Sequence, residues 1–241
     1  MNTNKPERRE GSVELSADDI RVRAGFRVAP GELLAGGPIE LEFFVESLGS
    51  SPIRLAVSGD RMSQRPGKFR FAAKFQGISL EDPMKAMPNM GGPVGIVLVS
   101  AERPWHQTLV LNQFIRLEDA SELLLQGATG RIELACRRPI TLASTDAAAL
   151  SDDEALVVAV DLSFNLRRDD EALETLVARL FDEVMQGPTV LRERPLALLL
   201  SMHATAYTQI EALTRHSDPS VAWRAHQALL LSVWQNRECN P

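Results

Sequence analysis

Aromatic side chains are scarce here: 5% of residues, with a single tyrosine. Sites that stack bases or sugars on rings need more, so that class of binding is disfavoured. Cysteine is scarcer still. Cys136 and Cys239 form no CxxC and no His/Cys zinc pattern. Cys136 lies in an apolar strand-like run and reads as a buried hydrophobe, while Cys239 sits near a terminus expected to fray, and a bond between them stays open. Basic clusters are missing too. With 26 Lys+Arg against 32 Asp+Glu the net charge is −6, so nucleic acid meets repulsion instead of releasing counterions. No apolar run is long enough to span a bilayer, and residues 1–11 (MNTNKPERREG) lack the apolar stretch of a secretory signal. The expectation is a cytoplasmic chain, or a periplasmic one if a signal peptide was removed, with no membrane insertion.

Chemical motifs are equally absent. There is no GxGxxG, no G-x-S-x-G elbow and no HExxH, and the four histidines (His106, His203, His216, His226) are scattered. No catalytic residue, cofactor or metal is therefore assigned, and an enzyme is not expected. A hydrolase would need a triad assembled only in space.

What is present is pattern. Residues 20–24 (IRVRA) alternate apolar and charged positions, the mark of a half-buried strand. Similar runs follow at 38–46, 53–57, 69–75, 96–99, 108–111, 131–136 and 155–162, separated by Gly, Pro, Ser and Asp with no helical period between them. Short, regularly punctuated strands predict a sandwich and not βαβ units. Segment 144–153 (STDAAALSDD) reads as a surface loop of that sandwich. After Arg168 the period changes. Ala172/Leu173, Leu176/Val177, Leu180/Phe181 and Val184/Met185 recur every four residues, with Asp169 and Asp170 as N-cap and Gly187-Pro188 as stop. Further helices are expected from about Pro195, over 208–213, and from Asp218-Pro219 to about Gln235.

The segment QIEALTRHSDPSVAWRAHQAL (209–229), with its Asp218-Pro219 turn and then Val221, Ala225, Ala228 and Leu229, resembles one HEAT-type repeat. The whole chain resembles bacterial proteins that join an immunoglobulin-like domain to HEAT-like helices. That resemblance implies scaffold or binding work and hands over no active-site residues. The expected fold is α+β: a disordered segment 1–18, an antiparallel immunoglobulin-like β-sandwich over 19–168, and a HEAT-like helical part over 169–241.

Candidate contact residues come from four places. Loop 81–95 (EDPMKAMPNMGGPVG) carries Met84, Met87 and Met90, which either form an adaptable apolar surface or pack beneath the loop. Asp60 and Arg61 occupy a second polar loop, as partner contacts or as turn-stabilising side chains. Glu171, Glu174 and Asp182 fall opposite the apolar stripe of the first long helix. From Asp169 onward ten Asp/Glu face six Lys/Arg, so any charge steering favours a basic partner. On the last helix Trp223, Leu230 and Trp234 share one side, and either cover the β domain or form an interface. The expected partner is another protein. The narrowest version is an immunity-type protein capping a basic toxin domain, and the runner-up is a structural adaptor in a bacterial assembly.

Overall fold

The computed structural model describes residues 6–17, 19–58, 67–83, 94–145 and 155–238. The chain is α+β: among the described residues, eleven strands in three antiparallel sheets are followed by a helical part. All eight expected strands are present.

The first sheet has the order β1 (Glu10–Ala17), β2 (Ile20–Val28), β3 (Glu40–Ser47), β8 (Trp105–Val110). Alternation does the sorting. Val22, Ala24, Phe26 and Val28 of β2 are buried, while Arg23 and Arg27 point outward to meet the acids of the neighbouring strands. Register puts Arg23 opposite Glu46 and Arg27 between Glu10 and Glu42, and the guanidinium Nε atoms donate at 2.7 Å to Glu46 and 2.8 Å to Glu10. Such exposed pairs fix register more than they add stability.

The second sheet has the order β11 (Leu156–Arg167), β9 (Thr129–Ile140), β5 (Arg70–Phe75), β6 (Ile78–Leu80). β9 and β11 pair along their whole length, from Leu156 opposite Ile140 to Arg167 opposite Thr129. The third sheet, β10 (Leu142–Ser144), β4 (Ile53–Ser58), β7 (Val94–Val99), continues the second around a corner. Only Thr141 separates β9 from β10, and its carbonyl accepts from the Ala56 N–H at 3.1 Å. All three sheets close on one apolar core.

Two expectations are corrected here. Residues 10–17, inside the segment expected to be disordered, form β1. Arg8 pairs with Ser163, and β1 approaches so closely that a Cβ on Gly25 would lie 2.2 Å from the Gly11 carbonyl oxygen. Second, the β part contains a short helix, α1 (Glu118–Glu122), after a 3-10 turn at Leu111–Gln113. Leu111, Phe114, Ile115, Leu117, Ala120 and Leu124 are buried at helical spacing and belong to the core. Asn112 is buried with them. Its Oδ1 accepts from the Ile39 N–H at 2.9 Å and its Nδ2 donates to the Gly37 carbonyl at 3.0 Å.

The helical part begins where the period changed. Asp169 caps α2 (Asp170–Gln186) by accepting from the Ala172 N–H at 3.0 Å. α3 (Glu193–Leu200), α4 (Tyr207–Leu213) and α5 (Pro219–Glu238) follow. Val177, Leu180, Val184, Leu199, Ile210 and Ala225 build a second core, which also takes in Val110 at the end of β8. The Arg168 guanidinium donates to the carbonyls of Ser121 (3.2 Å) and Leu124 (2.7 Å), and Arg194 of α3 forms an ion pair with Glu40 of β3. No helix among the described residues is long and apolar enough to cross a membrane.

Candidate functional site

α5 presents two different sides. Val221, Ala225 and Ala228 are buried against its neighbours, chiefly α4 with some contact to α3, as small residues allow. Trp223 and Leu230, seven residues and about two turns apart, stand on another face and are 54% and 58% exposed. His226, also exposed, lies between them. Of the two readings for this stripe, cover for the β part is overturned at Trp223 and Leu230. The α5 backbone includes Trp234, whose side chain is outside those described. Arg224 pins the helix to α3 through an ion pair with Glu193 at 2.6 Å. The apolar face is therefore held by a packed helix.

Glu171, Glu174 and Asp182 are all exposed along α2, as the opposite-face argument requires. α3 packs against α2 and also touches α5. The acidic row and the Trp223 face stand on different helices. Met84, Met87, Met90, Asp60 and Arg61 lie outside the described residues, and so does Cys239. Cys136 is a free, buried thiol, and burial pushes its pKa upward.

Two features were missed by sequence reasoning. The first is Arg138, an arginine 1% exposed inside the β core. Its guanidinium carbon stands 4.1 Å from the Phe69 ring centroid, 4.6 Å from Phe43 and 5.3 Å from Trp105. Nη1 donates to Gln107 Oε1 at 3.2 Å, and Nε has no partner among the described residues. Ring faces supply the negative potential that a carboxylate would otherwise give. Burial lowers the Arg138 pKa to about 9. The signal was available: Ile132, Leu134, Cys136, Arg138 and Ile140 share the inward parity of β9.

The second is a groove of about 850 Å³ over the outer face of the β11-β9-β5-β6 sheet. Ala72 and Ala135, opposite one another in register, form its low floor. Arg8, Lys74, Arg131 and Arg137 stand among Glu81, Asp82, Glu133 and Asp161, and Arg137 pairs with Asp161 at 3.1 Å. Balanced walls give no net pull on either sign of charge.

The histidines do not converge. His106 Nδ1 faces Glu42 at 3.4 Å on the exposed side of the first sheet, and His216 Nδ1 accepts from the Asp218 N–H at 2.9 Å in the turn before α5. No group of three His, Cys, Asp or Glu side chains among the described residues could hold a metal ion. No protein-family model matches the chain, and no curated protein matches it in sequence.

Proposed function

We propose that this protein is a recognition module that binds another protein through the Trp223 and Leu230 face of α5. The observation that carries the reading is a large aromatic, 54% exposed, on a helix whose Val221, Ala225 and Ala228 are buried on another side. Water is a poor neighbour for such a face, and tryptophan is enriched among the residues that dominate binding energy. In its finer form, the module is an immunoglobulin-like sandwich carrying HEAT-like helices. Facing antiparallel sheets and the packed α4–α5 pair support that likeness as one of architecture. The strand order β1-β2-β3 begins as a meander. The narrowest form is an immunity-type protein whose acidic helical part meets a basic toxin domain, supported by the exposed carboxylates of α2.

The test is capture of a partner from native lysate, followed by titration calorimetry with the purified pair. Trp223→Ala with Leu230→Ala is expected to weaken binding by about 2 kcal/mol or more while leaving the melting temperature unchanged. Unaltered affinity would remove α5 as the binding face. A captured partner with no toxic activity would replace the immunity form by that of an adaptor.

A further inference from the structure

A strand at a sheet edge leaves backbone groups for something else to satisfy. On the outer side of β11 the structure shows what does so. The Leu33 carbonyl accepts from the Arg167 N–H at 2.9 Å, and the Ala35 N–H donates to the Arg167 carbonyl at 2.8 Å. Two residues earlier on that edge, the Asn165 N–H donates to Glu7 Oε1 at 2.9 Å. Two earlier again, Ser163 donates to the Arg8 carbonyl at 2.9 Å and accepts from the Arg8 N–H at 2.7 Å. Residues 6–9 thus form a strap laid antiparallel on β11. The chain then changes sheets. The Arg9 carbonyl accepts from the Val28 N–H of β2 at 2.8 Å, and all eight residues of β1 pair with β2.

Glu7 stands in for a backbone group. Antiparallel register sets Pro6 opposite Asn165, and proline has no N–H with which to continue the ladder. The Pro6 carbonyl accepts instead from Arg131 of β9 at 3.2 Å, and the Glu7 carboxylate takes the Asn165 N–H. Arg9 holds the same carboxylate from the other side. Its Nε donates to Glu7 Oε2 at 2.8 Å, and its Nη1 donates to the Gly31 carbonyl at 2.5 Å. No buried apolar side chain anchors the strap, since Pro6, Glu7 and Arg8 are exposed and Arg9 is half-buried.

We propose that residues 6–9 are an acid-released latch with Glu7 as its catch, and that its opening bares the Ser163–Asn165 edge of β11 while the sheets stay folded. Hydrogen bonds to an ionised group are roughly twice as strong as neutral ones, and Glu7 makes two of them. Protonation weakens both at once. Around the carboxylate stand Arg9 of the strap and Asn165 of β11, with Arg131 of β9 on the neighbouring Pro6 carbonyl. The Arg9 hydrogen bond holds the Glu7 pKa below its ordinary value; burial opposes it, and Asn165 adds to it. The closed strap therefore favours the ionised form. It is latched above the ordinary carboxylate value and released as pH falls through the lowered one.

Amide hydrogen exchange of the full chain, read by NMR and corrected for the intrinsic rate at each pH, tests this. Ser163 and Asn165 send their amides to the strap. Leu162 and Phe164, by alternation, send theirs to β9 and serve as the reference. At neutral pH all four are expected to be protected in the wild type. As pH falls through the lowered pKa of Glu7, protection at Ser163 and Asn165 is expected to drop roughly tenfold or more relative to the reference pair. Glu7→Ala should show that loss already at neutral pH. Arg9→Gln should raise the pH at which the edge opens, because the group that holds the Glu7 pKa down is gone. A protection ratio that stays constant at every pH overturns the proposal, since the strap would then open only with the sheets. So does an edge unprotected in the wild type at neutral pH, or an opening pH that Arg9→Gln leaves in place.

Discussion

Arg138 is the residue whose chemistry departs furthest from its surroundings. A cation 1% exposed, held by three rings and one amide oxygen, pays a desolvation penalty that ring contacts offset only in part. Two substitutions separate its charge from its volume. Arg138→Met keeps most of the bulk and is expected to match or exceed wild-type stability at pH 7. Arg138→Ala leaves a cavity among Phe43, Phe69 and Trp105 and is expected to cost about 2–5 kcal/mol. The pH dependence has a definite sign. Burial holds the folded pKa at about 9, well below the ordinary guanidinium value, so from about pH 9 up to that ordinary value the unfolded chain binds more protons and Arg138's contribution to stability rises with pH. Thermal melts at pH 7, 8.5 and 10 should show the difference between wild type and Arg138→Met moving in favour of wild type above about pH 9. A constant difference would mean that the guanidinium keeps its proton in the folded state.

At the scale of elements, alternation was the readable signal, and it failed where alternation was short or weak. β2 and β9 announce themselves through apolar residues at every second position. β6 has only three residues, and its hairpin rests on Gln76 and Gly77 at φ 50° and 87°, the pair of positive angles that a type I′ turn requires. β10 was not read at all, because it has three residues and nothing in one residue, Thr141, marks a corner after β9. β1 was hidden by its polar setting. Val13 and Leu15 are only half-buried, and the strand's placement depends on what its glycines permit. Gly25→Ala tests that. The new Cβ would meet a backbone oxygen, which cannot step aside as a side chain can. A loss of about 1–3 kcal/mol is expected in chemical denaturation, with faster amide exchange in β1 than in β9. Uniform exchange in the variant would show that β1 does not respond separately. The missed α1 followed from an incomplete reading of period: 111–124 carries helical spacing between two strands.

For the molecule as a whole, the change of period after Arg168 marked the joint between the sheets and the helices. The surfaces were less legible, because exposure depends on which helix packs on which. The exposure of Glu171, Glu174 and Asp182 on α2 was legible from the helical wheel alone, whereas the freedom of Trp223 needed the positions of α3 and α4. Replacing Glu171, Glu174 and Asp182 with Lys should slow association with a basic partner at low salt and flatten the salt dependence, since steering acts on the encounter. Stopped-flow mixing at two salt concentrations measures it, and identical rates for both proteins would reduce that row to a solvated surface. One long-range contact also bears on the order of events during synthesis. β1 and β2 can pair as a hairpin once both are made, whereas the bridge from Arg8 to Ser163 closes only after β11 has emerged. A ribosome delivering the chain in order therefore leaves the β11-facing edge of β1 open while the strands between are made. Its Glu10 and Glu14 help to keep that waiting edge soluble.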